Sequence, residues 1–222
     1  MNTIDILSQI ARQHHEIAAF HITSFPHQRQ VQESLRPWGD REQRMFRQAL
    51  DMKKSGVPFW NAVMLSSFDN SEYSPSLIGA ALHHNPIDSL QEVSREQMLH
   101  FSAASLDASK RWAVNSRVRL RNGRIRHLPM IDFHIPATAT NTAVVRQVCQ
   151  CLSLGDGYIL KSGVSYHFLG TTLVTRGELL RMLARALLFC PIIDGAWLSH
   201  QLLEESCSLR IDRKNGVDTE VV

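Results

Sequence analysis

The chain has 222 residues, 44% of them hydrophobic and 20% charged, and 24 Lys and Arg against 21 Asp and Glu leave a net charge of +3. That balance excludes a disordered or fibrous chain, and four cysteines in this length exclude a disulfide scaffold. No apolar run is long enough to span a bilayer, and Met1-Asn2-Thr3-Ile4-Asp5 is not a secretory leader, so a cytoplasmic, reduced setting without membrane contact is expected.

The first hundred residues read as mostly helical. Ile4, Leu7, Ile10 and Ala11 form a helical stripe after a Thr3 cap. A polar, Gln-rich connection lies between Pro26 and Pro37. Asp40 caps a helix through about Lys54, ended by Gly56 and Pro58, and Phe59 to Leu65 reads as a further helix. Ser74 or Ser76 opens a helical segment toward His84. Ser94 with Gln97 is a capping box for a helix through about Leu106.

The texture changes near Ser116. Val118 to Arg126 alternates around Asn122-Gly123, a strong hairpin signal. Met130 to Ile135 reads as a buried strand and Thr140 to Leu152 as a helix. Tyr158 to Lys161 and Tyr166 to Leu169 form a second hairpin around Ser162-Gly163. Thr175 and Glu178 cap a helix through about Leu188. Ile192 to Asp194 is a short strand, Trp197 to Leu203 helical, and Ser208 to Ile211 a last strand. The expected fold is α+β, one mixed sheet with helices on one face. The division is a helix-rich region over 1–115 and an α/β module over 116–222, in one compact domain or two.

Chemistry-bearing residues sit on these strands. Asp132 and His134 are two apart and share a strand face, and Asp194 ends another apolar strand. If the two strands are neighbours, the three side chains can meet around one divalent ion, and two carboxylates with an imidazole suit Mn²⁺ better than Mg²⁺. The alternatives are a carboxylate bonded to a turn and a satisfied core histidine. Ser162, Gly163, Ser165 and His167 could cradle phosphate oxygens, or form a plain hairpin turn. A two-residue Asn122-Gly123 turn places Arg119, Arg121, Arg124 and Arg126 on one face, where opposed like charges favour an anion such as phosphate; the alternative is a solvated edge. Arg210, with Arg213 and Lys214 beyond it, ends the last strand in a basic turn. The spacings of Cys149-Gln150-Cys151, His14-His15 and His83-His84 suit no metal, and no Walker or Rossmann glycine loop is present.

From Ser116 to the C-terminus, this order of motifs resembles the archaeo-eukaryotic primase superfamily and, more narrowly, bacterial primase-like proteins. Asp132-Phe133-His134 is similar to its acidic strand motif, with His134 in place of the second acid. Ser165-Tyr166-His167 is similar to its Ser-x-His hairpin, and Ile193-Asp194 to its hydrophobic-Asp strand. Leu209-Arg210 to Gly216 is similar to the trailing basic motif. The resemblance implies an RRM-like catalytic core and two-metal nucleotidyl transfer from nucleoside triphosphates on a single-stranded DNA or RNA template, with Mn²⁺ or Mg²⁺. It implies that Asp132 and Asp194 hold the metals with His134 as a third ligand. Ser165 and His167 would bind the triphosphate, and Arg210 the nucleotide or template. A helicase or other replication protein is the partner class that goes with it. Two other readings are a primase fold without turnover that binds nucleotide or nucleic acid, and a metal-dependent phosphodiesterase.

Overall fold

A computed structural model describes residues 1–26, 39–69, 90–107, 109–211 and 219–222. The expected helix before His84, the Gln-rich connection, His83-His84, Arg213 and Lys214 lie outside these residues. The chain forms two compact units: Met1–Phe25 with Asn85–Val222, and Pro26–His84. In the smaller unit, α2 (Asp40–Lys54) and α3 (Phe59–Asp69) share a small apolar core of Met45, Ala49, Ala62 and Val63.

In the larger unit, α1 (Thr3–Gln13) buries Ile6, Leu7, Ile10 and Ala11 completely, which are one face at helical spacing. Its cap is Asn2 rather than Thr3, and Asp5 closes the capping box. Thr3 instead bonds to Thr219 near the other terminus. A short helix, α4 (Arg95–Leu99), is tied to α1 by Arg95 Nε donating to the Ala11 carbonyl at 2.7 Å.

The strands form two sheets rather than one. The first contains β1 (Ile17–Pro26), β2 (Gln91–Ser94), β3 (Lys110–Leu120), β4 (Ile125–His127) and β8 (Ser208–Arg210), in the order β2-β1-β3-β4, with β8 also on β3. The second contains β5 (Met130–Asp132), β6 (Gly157–Ser162), β7 (Ser165–Gly170) and β9 (Glu220–Val221), in the order β5-β7-β6-β9. The described residues of this unit also form α5 (Ala139–Leu152), α6 (Arg176–Ala186) and α7 (Gly195–Glu204). The architecture is α+β. Among the described residues no helix is long and apolar enough to cross a membrane.

β3 has two partners along one edge. Arg117 to Arg119 pair with β4, and Ala113 to Asn115 with β8. At the junction Ser116 donates its N–H to the Cys207 carbonyl, while its hydroxyl oxygen accepts the Cys207 N–H and meets His127 Nδ1 at 3.1 Å. Asn115 Nδ2 donates to Ser206 and Ser208 Oγ. These polar groups are buried but bonded, which removes most of their desolvation cost.

The β3–β4 register differs from the sequence expectation by one residue. Val118 faces Arg126 and Arg119 faces Ile125. The loop is Arg121-Asn122-Gly123, with Leu120 N–H bonded to the Arg124 carbonyl at 2.8 Å and Gly123 at φ 79°. Asn122 Oδ1 accepts from Arg124 N–H, and Arg121 N–H is held by the Glu16 carbonyl. One extra loop residue turns every side chain of the return strand to the other face. Arg119 and Arg126 therefore lie on opposite faces, and the four arginines do not form one row. Arg119 instead makes two 2.8 Å bonds to the Glu92 carboxylate, which hold that carboxyl below the usual range.

In the second sheet β6 and β7 pack too closely for a side chain at Gly157. A Cβ there would stand 2.4 Å from Phe168 Cζ and 2.7 Å from the Leu169 carbonyl oxygen. Gly157→Ala is expected to lower stability by about 2 kcal/mol, read as a shift in the urea midpoint with an unchanged m-value.

Candidate active site

The site is built on one face of the second sheet. β7 pairs with both β5 and β6, with Asp132 opposite His167, Leu160 opposite His167, and Ser162 opposite Ser165. Directly paired residues share a face, as do residues two apart. Asp132, Ser162, Ser165 and His167 thus look the same way. Past the end of β5, Phe133 bridges Ile193, flanked by bonds from His134 N–H to the Ile192 carbonyl at 2.7 Å and from Asp194 N–H to the Asp132 carbonyl at 3.1 Å. This adds Asp194 and His134 to the same face. The two aspartates, 62 positions apart in sequence by subtraction of their numbers, are neighbours in space.

The four titratable side chains stand in two pairs. His167 Nε2 lies 3.5 Å from Asp132 Oδ1, and His134 Nδ1 lies 3.6 Å from Asp194 Oδ2. His167 is buried, whereas the His134 side chain is 73% exposed. Asp194 also caps α7, its Oδ1 accepting the Trp197 N–H at 3.0 Å. One carboxylate oxygen is thus committed to the helix and the other faces the imidazole. The negative field reaches Cys190, whose thiol is pushed up by partial burial and then by the Asp194 charge.

The hairpin turn is Gly163-Val164, one residue later than expected, with Gly163 at φ 69°. Ser165 Oγ donates to the Phe133 carbonyl, so in this arrangement its proton is used within the protein. Ser162 Oγ accepts from Arg210 Nη2 at 2.9 Å. Arg210 belongs to β8 of the first sheet, so this bond joins the two sheets beside the site. Of the remaining cations, Arg121 in the first hairpin loop and Arg124 just after it are exposed. Sequence reasoning missed Tyr166, whose ring is fully buried and whose hydroxyl lies 2.6 Å from the Thr138 carbonyl and 2.9 Å from Thr142 Oγ1. Its signal was an aromatic residue with a polar tip at an inward strand position.

Among the described residues no three His, Cys, Asp or Glu side chains are gathered around one point as a ready-made metal site. The residues that could hold a divalent cation are Asp132 and Asp194, with His134 and His167 as nitrogen donors. This set offers two carboxylates and no third, because the remaining side chains beside them are the imidazoles of His134 and His167.

A family model described as archaeo-eukaryotic primase 1D-like matches residues 90–221. The match begins before Ser116, taking in β2, α4 and all of β3. No curated protein and no solved structure matches the chain.

Proposed function

The chain belongs to the archaeo-eukaryotic primase-like family, and from that membership we propose that it is a nucleotidyltransferase acting on nucleoside triphosphates and a single-stranded nucleic-acid template. The observation that carries this reading is the juxtaposition of Asp132 and Asp194 on the face that also bears Ser162 and His167. Asp132 and Asp194 would hold a divalent cation, Mn²⁺ in preference to Mg²⁺. When bound, it would promote attack of a 3′-hydroxyl on the α-phosphate and stabilise the departing pyrophosphate. Arg210 would supply positive charge for the triphosphate, and His167 a ring nitrogen beside it. Because Ser162 Oγ accepts from Arg210, its own proton is left to donate to a phosphate oxygen. The exposed Arg121 and Arg124 would meet a strand backbone, where each phosphate contact adds salt-sensitive affinity.

A specific feature favours a second reading, binding without turnover. His134 withholds one negative charge from the acidic cluster, and each carboxylate already has an imidazole beside it. One assay separates the readings. Labelled nucleotide is offered with single-stranded template and Mn²⁺ or Mg²⁺. Mn²⁺-dependent incorporation that vanishes in Asp132→Asn supports transfer. No incorporation with any metal rejects it. Salt-sensitive strand binding whose log–log slope falls by about 1.4 in Arg121→Ala/Arg124→Ala would then support the binding module. Degradation of the strand without added triphosphate would point to hydrolysis instead.

A further inference from the structure

We propose that Tyr166 is a positioning residue for His134, acting through a clamp between the β6–β7 hairpin tip and residues 133–138. The inference rests on the site reading above for its functional meaning, though the clamp itself stands on geometry alone. Among the described residues the His134 ring meets Asp194 Oδ2 at 3.6 Å and is otherwise mostly in solvent. Its place is therefore set by the backbone that carries it.

That backbone is fastened along its length. Phe133 N–H bonds to the Tyr166 carbonyl at 2.9 Å, and the Phe133 carbonyl accepts from Ser165 Oγ. His134 N–H bonds to Ile192, and Ala137 N–H to the Val164 carbonyl at 2.8 Å. The Tyr166 hydroxyl closes the far end on the Thr138 carbonyl and Thr142 Oγ1. Thr138 is also the cap of α5, its Oγ1 accepting the Asn141 N–H. Three consecutive hairpin residues, Val164, Ser165 and Tyr166, thus grip the segment on both sides of His134. Because β7 alternates, the residue between Ser165 and His167 necessarily points away from the site, and Tyr166 uses that inward position to hold the site's other wall. A ligand that stiffens the hairpin would stiffen His134 with it.

Tyr166→Phe removes the hydroxyl and keeps the ring. The direct readout is the ¹H–¹³C signal of the His134 ring, assigned by its loss in His134→Ala. The buried rings of His127 and His200 report on the fold. The expected result is a shifted or broadened His134 signal with the other two in place; an unmoved His134 signal overturns the proposal. If Tyr166→Phe does not fold, Thr142→Val removes the second partner of the hydroxyl, Thr142 Oγ1, and is read by the same His134 signal. Titration with Mn²⁺ alone supplies a second readout. Tyr166→Phe should weaken Mn²⁺ binding about fivefold in the wild-type background and not at all in His134→Ala, a coupling of the size found between groups in one network. Equal weakening in both backgrounds means a general structural effect and overturns the proposal. Failure of the wild-type protein to bind Mn²⁺ would sink the metal-dependent reading, while the ring signal would still decide the clamp.

Discussion

Asp194→Asn should abolish nucleotide incorporation while leaving the fold in place, and Asp194→Ala should damage both. Asp194 does two things at once. Its Oδ1 caps α7 by accepting the Trp197 N–H, and its Oδ2 faces His134 on the face that bears Asp132. Asparagine is as good a cap as aspartate, whereas alanine at a cap costs about 1 kcal/mol. Removing a carboxylate that holds a metal ion strips several kcal/mol of charge stabilisation from the reaction, so a loss of about a thousandfold or more in rate is expected for either variant. The melting temperature separates them: Asn should hold near wild type and Ala should fall by a few degrees. If Asp194→Asn kept most of its incorporation activity, the carboxylate would be a cap and nothing more, and the transferase reading would lose one of its two acids.

Mild acid should weaken the protein through His127. This imidazole is buried at the junction of β3, β4 and β8 and faces Ser116 Oγ. Burial lowers its pKa from 6.5 to about 4, and the nearby Arg117, Arg176, Arg126 and His21 add to the effect. The folded pKa lies below the unfolded one, so the unfolded chain binds the extra proton first. The stability due to neutral His127 is complete above about pH 6.5 and is lost as pH falls from there toward 4, about 3 kcal/mol over the window. Since Ser116 Oγ already accepts the Cys207 N–H, its proton is free to point at Nδ1, and protonating that nitrogen breaks the arrangement. His127→Asn places an amide oxygen where Nδ1 stood. Urea unfolding at intervals from pH 7 to 4 should show a shallower loss of stability in this variant. Equal slopes would show that His127 is not the group responsible. Glu92 and Glu178, whose carboxyls are also held low by Arg119 and by the Thr175 cap respectively, titrate further down and are common to both proteins.

Much of the site was legible because its motifs are local. Two residues apart on a strand means one face, and that rule alone set Asp132 with His134. The neighbourhood of Asp132 and Asp194 depended on strand order, which periodicity does not encode; there the resemblance supplied the expectation and the backbone bonds supply the geometry. The first hairpin shows how little is needed to mislead. Asn122-Gly123 favours a two-residue turn, but the Glu16 carbonyl takes the Arg121 N–H and a three-residue loop results, which moves Arg126 to the other face. β1 was read past because Ile17 to Phe25 carries no turn signal and follows a well-marked helix. The early part of β3 was hidden by Asn115 and Ser116, polar residues in a buried strand. Their partners, Ser206, Ser208 and Cys207, lie 91 to 93 positions away, beyond the reach of any local pattern.

The smaller unit, Pro26–His84, interrupts the chain between two strands that pair directly, with Ile22 opposite Gln91 and Ala19 opposite Ser94. In chain order it takes the place of a hairpin turn. By polymer statistics, a connection of about 60 residues in place of about 4 costs the sheet only about 2 kcal/mol in closure entropy. Such a location is a natural graft point. The segment can be exchanged for another, lengthened or cut back to a tight turn without altering the strand order that sets Asp132 against Asp194. The segments that carry Asp132 and Asp194 and the unit inserted between β1 and β2 are therefore free to diversify at separate rates.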